Sequence, residues 1–145
     1  MDGKIVKQKI GNLYWHENVN CATAILKVLA ENYSIQLDSQ IIDAAIGMHG
    51  AGGYRAQCGL VEGTLMFIGV LGRERGIETD KIVDLCFQFA QNFEAEFKSL
   101  ICQNLRPEGF SANNPPHLCE SLTNRAAVNA IDFLNSYLND VVISK

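Results

Sequence analysis

Apolar residues recur at helical spacing along most of the chain, and polar breaks divide them into about five helices. Asn18-Val19-Asn20 is a capping signal, since either asparagine can accept from free first-turn amides, and Cys21 to Ala30 follows as the first helix. Asp38 caps a second through Ile41, Ile42, Ala45 and Ile46, which Gly47 ends. The third, Gly59 to about Arg73, is apolar on every side with Glu62 its one internal charge, so it belongs in the middle of a bundle. Gly59 and Gly63 lie four apart and leave one face bare for a neighbouring backbone. The fourth starts at Thr79 or Asp80 and carries a stripe of Ile82, Cys86, Phe89, Phe93, Phe97 and Leu100. Pro115-Pro116 marks the boundary of the last, about Leu118 to Asn139, whose inward face is Cys119, Leu122, Ala126, Ala130, Phe133 and Tyr137. The expected fold is all-α: a compact bundle of about five helices, its central buried helix preceded by a glycine-rich loop.

Residues 1–12, with Lys4, Lys7 and Lys9, read as an exposed lead-in, followed by a helical turn around Asn12–His16. Asn104 to Pro116, including Pro107, is the longest irregular segment, and residues 140–145 read as a short tail. With 145 residues and no linker or repeat, residues 1–145 are expected to form a single domain.

A net charge of −4 and scattered Lys and Arg argue against a nucleic-acid surface. Thr64 to Gly72, the longest apolar run, is too short for membrane insertion. The N-terminal MDGKIVKQKI lacks the features of a signal peptide, so the expected compartment is cytoplasmic. Structural disulfides are rare there, and the five cysteines (21, 58, 86, 102 and 119) point to metal binding, redox chemistry or burial.

The stretch Gly47 to Gly72 carries the candidate chemistry. Gly47, Gly50, Gly52 and Gly53 crowd a loop that leads to Cys58 at the start of the third helix. Free amides and the helix dipole at such a terminus favour a thiolate, the form that attacks disulfides and binds metals. Cys21 and Cys119 also fall at expected helix N-termini, and Cys102 falls near the C-terminal end of the fourth helix. Cys86 belongs to the apolar stripe and is explained by packing. No CxxC pair occurs, so spacing leaves both a shared four-cysteine site and unrelated buried thiols open. His49 in the glycine loop and His117 before Cys119 are weaker candidates for a ligand or proton donor, structural in most such settings. His16, after Trp15, reads as a packing contact. Glu62 is either a buried acid with a raised pKa or a solvent-facing first-turn residue, and Tyr54-Arg55 has a weak claim to anion binding.

NVNCATAIL, the glycine loop into CGLVEG, a lone cysteine after a long helix and another opening the last together resemble the C_GCAxxG_C_C family of redox-active proteins. The resemblance runs from about Leu13 to Tyr137. It places the family's four cysteines on Cys21, Cys58, Cys102 and Cys119, with Cys86 left over. Leu60 and Glu62 stand where the motif usually has small or uncharged residues. A similar cysteine region is associated with split-Soret cytochromes, dimeric proteins thought to hold an iron–sulfur centre as well as haem. No CxxCH motif is present, so covalent haem is not expected.

The resemblance implies a metal centre, iron–sulfur before any other, held by the four cysteines for electron transfer to a redox partner protein. Gly52, Gly53 and Gly59 would approach the cofactor closely with their backbone. The alternatives are a metal-free thiol–disulfide couple with Cys58 attacking and Cys102 or Cys119 resolving, or a non-redox helical interaction protein. Whether the chain is an enzyme stays open, with a redox or electron-transfer protein favoured over a classical enzyme. Leu65, Ile68 and Leu71 look uncovered in so small a bundle, which suggests a homodimer.

Overall fold

The structure, a computed structural model, describes residues 1–106 and 109–143. Pro107 of the expected irregular segment and Ser144 and Lys145 of the expected tail lie outside them. The fold is all-helical: among the described residues no strand forms, and seven α-helices follow one another where about five were expected. They are α1 (Gly3–Trp15), α2 (Cys21–Asn32), α3 (Ser39–Ala44), α4 (Gly59–Glu74), α5 (Thr79–Phe97), α6 (Cys102–Leu105) and α7 (Glu120–Ile143).

The expected lead-in is a correction. Residues 3–15 form α1, capped by Asp2, whose carboxylate accepts from the Ile5 amide at 2.9 Å. Val6 and Ile10, followed three and four positions on by Leu13 and Tyr14, bury one face, while the lysines lie toward the solvated side. The expected tail is likewise helical through Ile143, as the end of α7. The second expected helix is shorter than its pattern, because after α3 the chain tightens into a 3₁₀ turn, Ala45–Gly47.

Helices α2 and α4 form the central pair. Asn20 is the cap of α2, accepting from the Thr23 amide at 2.8 Å, and eight of the twelve α2 residues are buried. A Cβ on Gly63 would fall 2.6 Å from Ile25 Cγ2 and collide with the Ala22 carbonyl. One on Gly59 would strike the Cys21 sulfur and come within 3.1 Å of both Ala22 N and His49 Cα. The bare glycine face is therefore in backbone contact with the start of α2. Around this pair pack α1, α5 and α7, with Phe67, Phe89 and Phe93 fully buried.

Ile68 and Leu71 are buried inside the chain, and Leu65 packs against the same core. The stripe that suggested a dimer is thus covered internally. Among the described residues no helix is long and apolar enough to cross a membrane.

Gly69 sits on α4 with nothing within 4 Å of its would-be Cβ. Gly63→Ala should cost roughly 3 kcal/mol through overpacking, a fall in Tm of about 6–12 °C. Gly69→Ala should gain up to about 1 kcal/mol of helix propensity. Thermal melts of the two variants beside wild type check the contrast; equal shifts would mean the α2–α4 contact tolerates a methyl group.

Candidate functional site

Four local devices bring sulfur to one end of the α2–α4 pair. Cys21 is the first residue of α2, after its Asn20 cap. Cys58 is the N-cap residue of α4. Cys119 immediately precedes α7, and its carbonyl accepts from the Thr123 amide at 2.7 Å. Cys102 differs from expectation: α5 stops at Phe97 because Lys98 adopts a left-handed cap (φ 73°), and its amide bonds the Glu94 carbonyl at 2.8 Å. The chain then turns back, and Cys102 opens the short α6 rather than ending a long helix.

The reversal has a purpose in the fold. Residues 100–103 run antiparallel to residues 55–58, with a single bridge between Gln57 and Ile101. Cys58 N–H donates to the Leu100 carbonyl at 2.8 Å, and Cys102 N–H to the Ala56 carbonyl at 2.7 Å. Two cysteines 44 positions apart are thereby tied by their own amides to one antiparallel clip.

The glycine loop forms the wall. Gly50, Ala51, Gly52 and Gly53 all have positive φ, a left-handed turn that is costly for Ala51 and free for the glycines. Gly50 is buried, and a Cβ there would lie 3.3 Å from both Cβ and Sγ of Cys102. Gly53 lines the cavity, and Gly59 abuts the Cys21 sulfur. Gly52 faces open space, with nothing within 4 Å. Gly50, which the motif pattern did not single out, makes the closest glycine approach to Cys102.

Cys21, Cys102 and Cys119 line a cavity of about 210 Å³. Cys58 is buried behind it, near enough that its charge and those of the other three oppose one another. Burial is the larger effect: it pushes Cys21 and Cys58 up to about 12, although the Ala22 amide at Cys21 and the Leu60 and Val61 amides at Cys58 pull the other way. Burial also raises Cys102 and Cys119, opposed by Arg106 at both and by Arg55 at Cys102. The helix termini therefore do not make Cys58 a ready thiolate, because desolvation outweighs their amides. Cys86 stands apart, its thiol raised by burial alone and packed against the core.

Apart from Leu118 and Gly53, the remaining lining is polar and aromatic. Tyr14 O–H lies 2.7 Å from Thr123 Oγ1, which itself donates to the Cys119 carbonyl at 2.9 Å. Since the threonine has one hydroxyl proton, Tyr14 is the donor in its pair. His117 stacks on Tyr14 with centroids 4.6 Å apart and hydrogen-bonds Asn18 at 3.0 Å. His49 meets Asn20 at 3.1 Å. Arg55, Arg106 and Phe110 complete the wall. Tyr14, Arg106 and Phe110 carried no spacing signal; only the reversal after α5 and the buried face of α1 bring them here.

Glu62 is partly buried beside Gln57, which donates to its carboxylate; burial raises its pKa, and it does not line the cavity. His16 caps α1 and lines a separate open groove between α1 and α2. Tyr54 is highly exposed. Among the described residues no group of three His, Cys, Asp or Glu side chains is disposed to hold a metal ion.

A family profile described as "Putative redox-active protein (C_GCAxxG_C_C)" matches residues 19–132, a span that holds all four cysteines. Neither a curated protein nor a solved structure matches the chain.

The raised thiols predict a pH dependence. A thiol whose folded pKa lies above its unfolded value binds its proton more tightly when folded. The associated stability is complete below about 9 and lost as pH rises toward 12. The slope is at most about 1.4 kcal/mol per pH unit for each group. Metal-free, reduced protein should melt at lower temperature at pH 10.5 than at pH 8, with a flatter dependence for Cys58→Ala. A Tm that holds or rises across that range would contradict the burial argument.

Proposed function

This chain belongs to the C_GCAxxG_C_C family of redox-active proteins, and we propose that Cys21, Cys58, Cys102 and Cys119 together hold its redox centre, an iron–sulfur cluster. The observation that carries the reading is convergence. Cys21, Cys102 and Cys119, from widely separated positions, line one cavity with Cys58 buried close to them, while the fifth, Cys86, stays in the core stripe.

The donor set fits such a group. A single ion gathers its sulfur ligands about 2.3 Å from one point, whereas a polynuclear centre takes its thiolates from separate metal atoms. Three thiols along one cavity with a fourth buried close by suit the second arrangement better than the first. When bound, the cluster supplies one-electron transfer to and from a redox partner protein. The chain's own contribution is to position the sulfurs on helix starts and on the 55–58/100–103 clip. The Ala22, Leu60 and Val61 amides point toward sulfur, where amide donors tune potential. Gly50 and Gly59 keep side chains out of the space beside Cys102 and Cys21.

A metal-free thiol couple is less well supported. Attack requires a thiolate, and burial leaves Cys58 protonated at neutral pH.

Iron and acid-labile sulfide measured per chain on anaerobically purified wild type and Cys58→Ser decide between these. We expect both in the wild type, with visible absorption that bleaches on reduction, and neither in the variant. A wild type without iron or sulfide even after reconstitution would remove the cluster and leave the thiol couple.

A further inference from the structure

We propose that the cavity beside the cysteines binds a small oxyanion through Arg55 and Arg106. That the anion sits next to a redox centre rests on the reading above; its binding rests on the arginines alone.

Although the chain carries a net charge of −4, no carboxylate among the described residues lines this cavity. Two guanidiniums do. Arg55 Cζ lies 4.2 Å from the centroid of the Phe110 ring and Arg106 Cζ lies 4.6 Å from it. Each guanidinium thus lies against the Phe110 ring, a contact that the π face favours. Among the described residues neither has an ion-pair partner. Arg106 uses Nε to bond the Gly109 carbonyl at 3.0 Å, which leaves its terminal nitrogens unassigned. Such planar, fixed donor forks match the paired oxygens of carboxylate, sulfate or phosphate.

The backbone also holds the arginines in place. Arg55 has a left-handed φ of 71°, an unfavourable conformation for a side-chain-bearing residue, and its carbonyl is pinned by the Gln103 amide at 3.2 Å. His49, His117 and Asn20 add further nitrogen groups to the same wall. The whole space is only about 210 Å³, against roughly 300–1,000 Å³ for sites of drug-sized ligands, and the cysteines share it with the arginines. The ligand at the arginine end is accordingly small, with at least two acceptor oxygens.

The test is isothermal titration of the full chain with sodium sulfate, sodium phosphate and sodium acetate, each at constant ionic strength. Wild type is set beside the double variant Arg55→Gln/Arg106→Gln, the charge-keeping Arg106→Lys, and Arg125→Gln. Arg125 also lies over a phenylalanine ring, Phe97, but lines a different cavity, so it controls for loss of one cation. We expect one saturable site for at least one anion, weakened at least ~10-fold in the double variant. Arg106→Lys should be intermediate and Arg125→Gln unchanged, with the helical content of the double variant by circular dichroism as in wild type. No saturable binding of any of the three anions, or equal weakening in Arg125→Gln, would overturn the proposal. So would a double variant that loses iron where the wild type shows no anion binding, since the arginines would then serve only to balance sulfur charge. If the chain carries no iron, the redox reading fails while the isotherm of the metal-free chain still decides the anion site.

Discussion

The contact between α2 and α4 is the constraint on which the site depends. Gly59 and Gly63 admit the Ala22 backbone where any side chain would separate the helices. That closeness sets Cys21, at the start of one helix, against the Cys58–Gly59 step at the start of the other. The same two residues that let the core close therefore also fix the spacing of two sulfurs. Fold and site are not independent here, since a change that pries the helices apart moves both cysteines at once.

Much of this was legible from residue order. The Asn20 cap, the apolar α4 and the glycine pair four apart have local causes, in capping chemistry and helical periodicity, and they appear in the structure as expected. Two misreadings have a shared cause. Residues 1–12 read as a lead-in because of Lys4, Lys7 and Lys9, yet Val6, Ile10, Leu13 and Tyr14 keep a narrow buried stripe. The apolar period of the fourth expected helix continues to Leu100, whereas Lys98 turns left-handed and ends the helix at Phe97. Periodicity records which positions are apolar and says little about where the backbone stops being helical.

The cysteine site was legible in part for the same reason. Cys21 and Cys58 sit beside local signals, a cap and a glycine motif. Cys102 reaches the site through pairing with residues 55–58, a contact between distant segments that no window of sequence contains. Arg106 and Phe110 follow that same reversal, so their place on the wall is a property of tertiary structure alone. The thiolate expectation at Cys58 failed on a quantity that sequence does not give, the depth of burial, which outweighs the amides of the helix start.

The electrostatics of the four sulfurs divide along that depth. Cys21 and Cys58 lie on the central helix pair, where backbone amides are the groups that favour negative sulfur. Cys102 and Cys119 lie nearer the arginines, where full guanidinium charge takes that role. In the absence of a bound cation all four are better accommodated as neutral thiols, because burial and mutual repulsion act in the same direction. Binding a metal centre would reverse this by bringing positive charge among the sulfurs and releasing their protons, so affinity for it must rise with pH over the range in which the thiols titrate. The amide side then offers fixed, short-range donors, and the arginine side offers charge close to solvent.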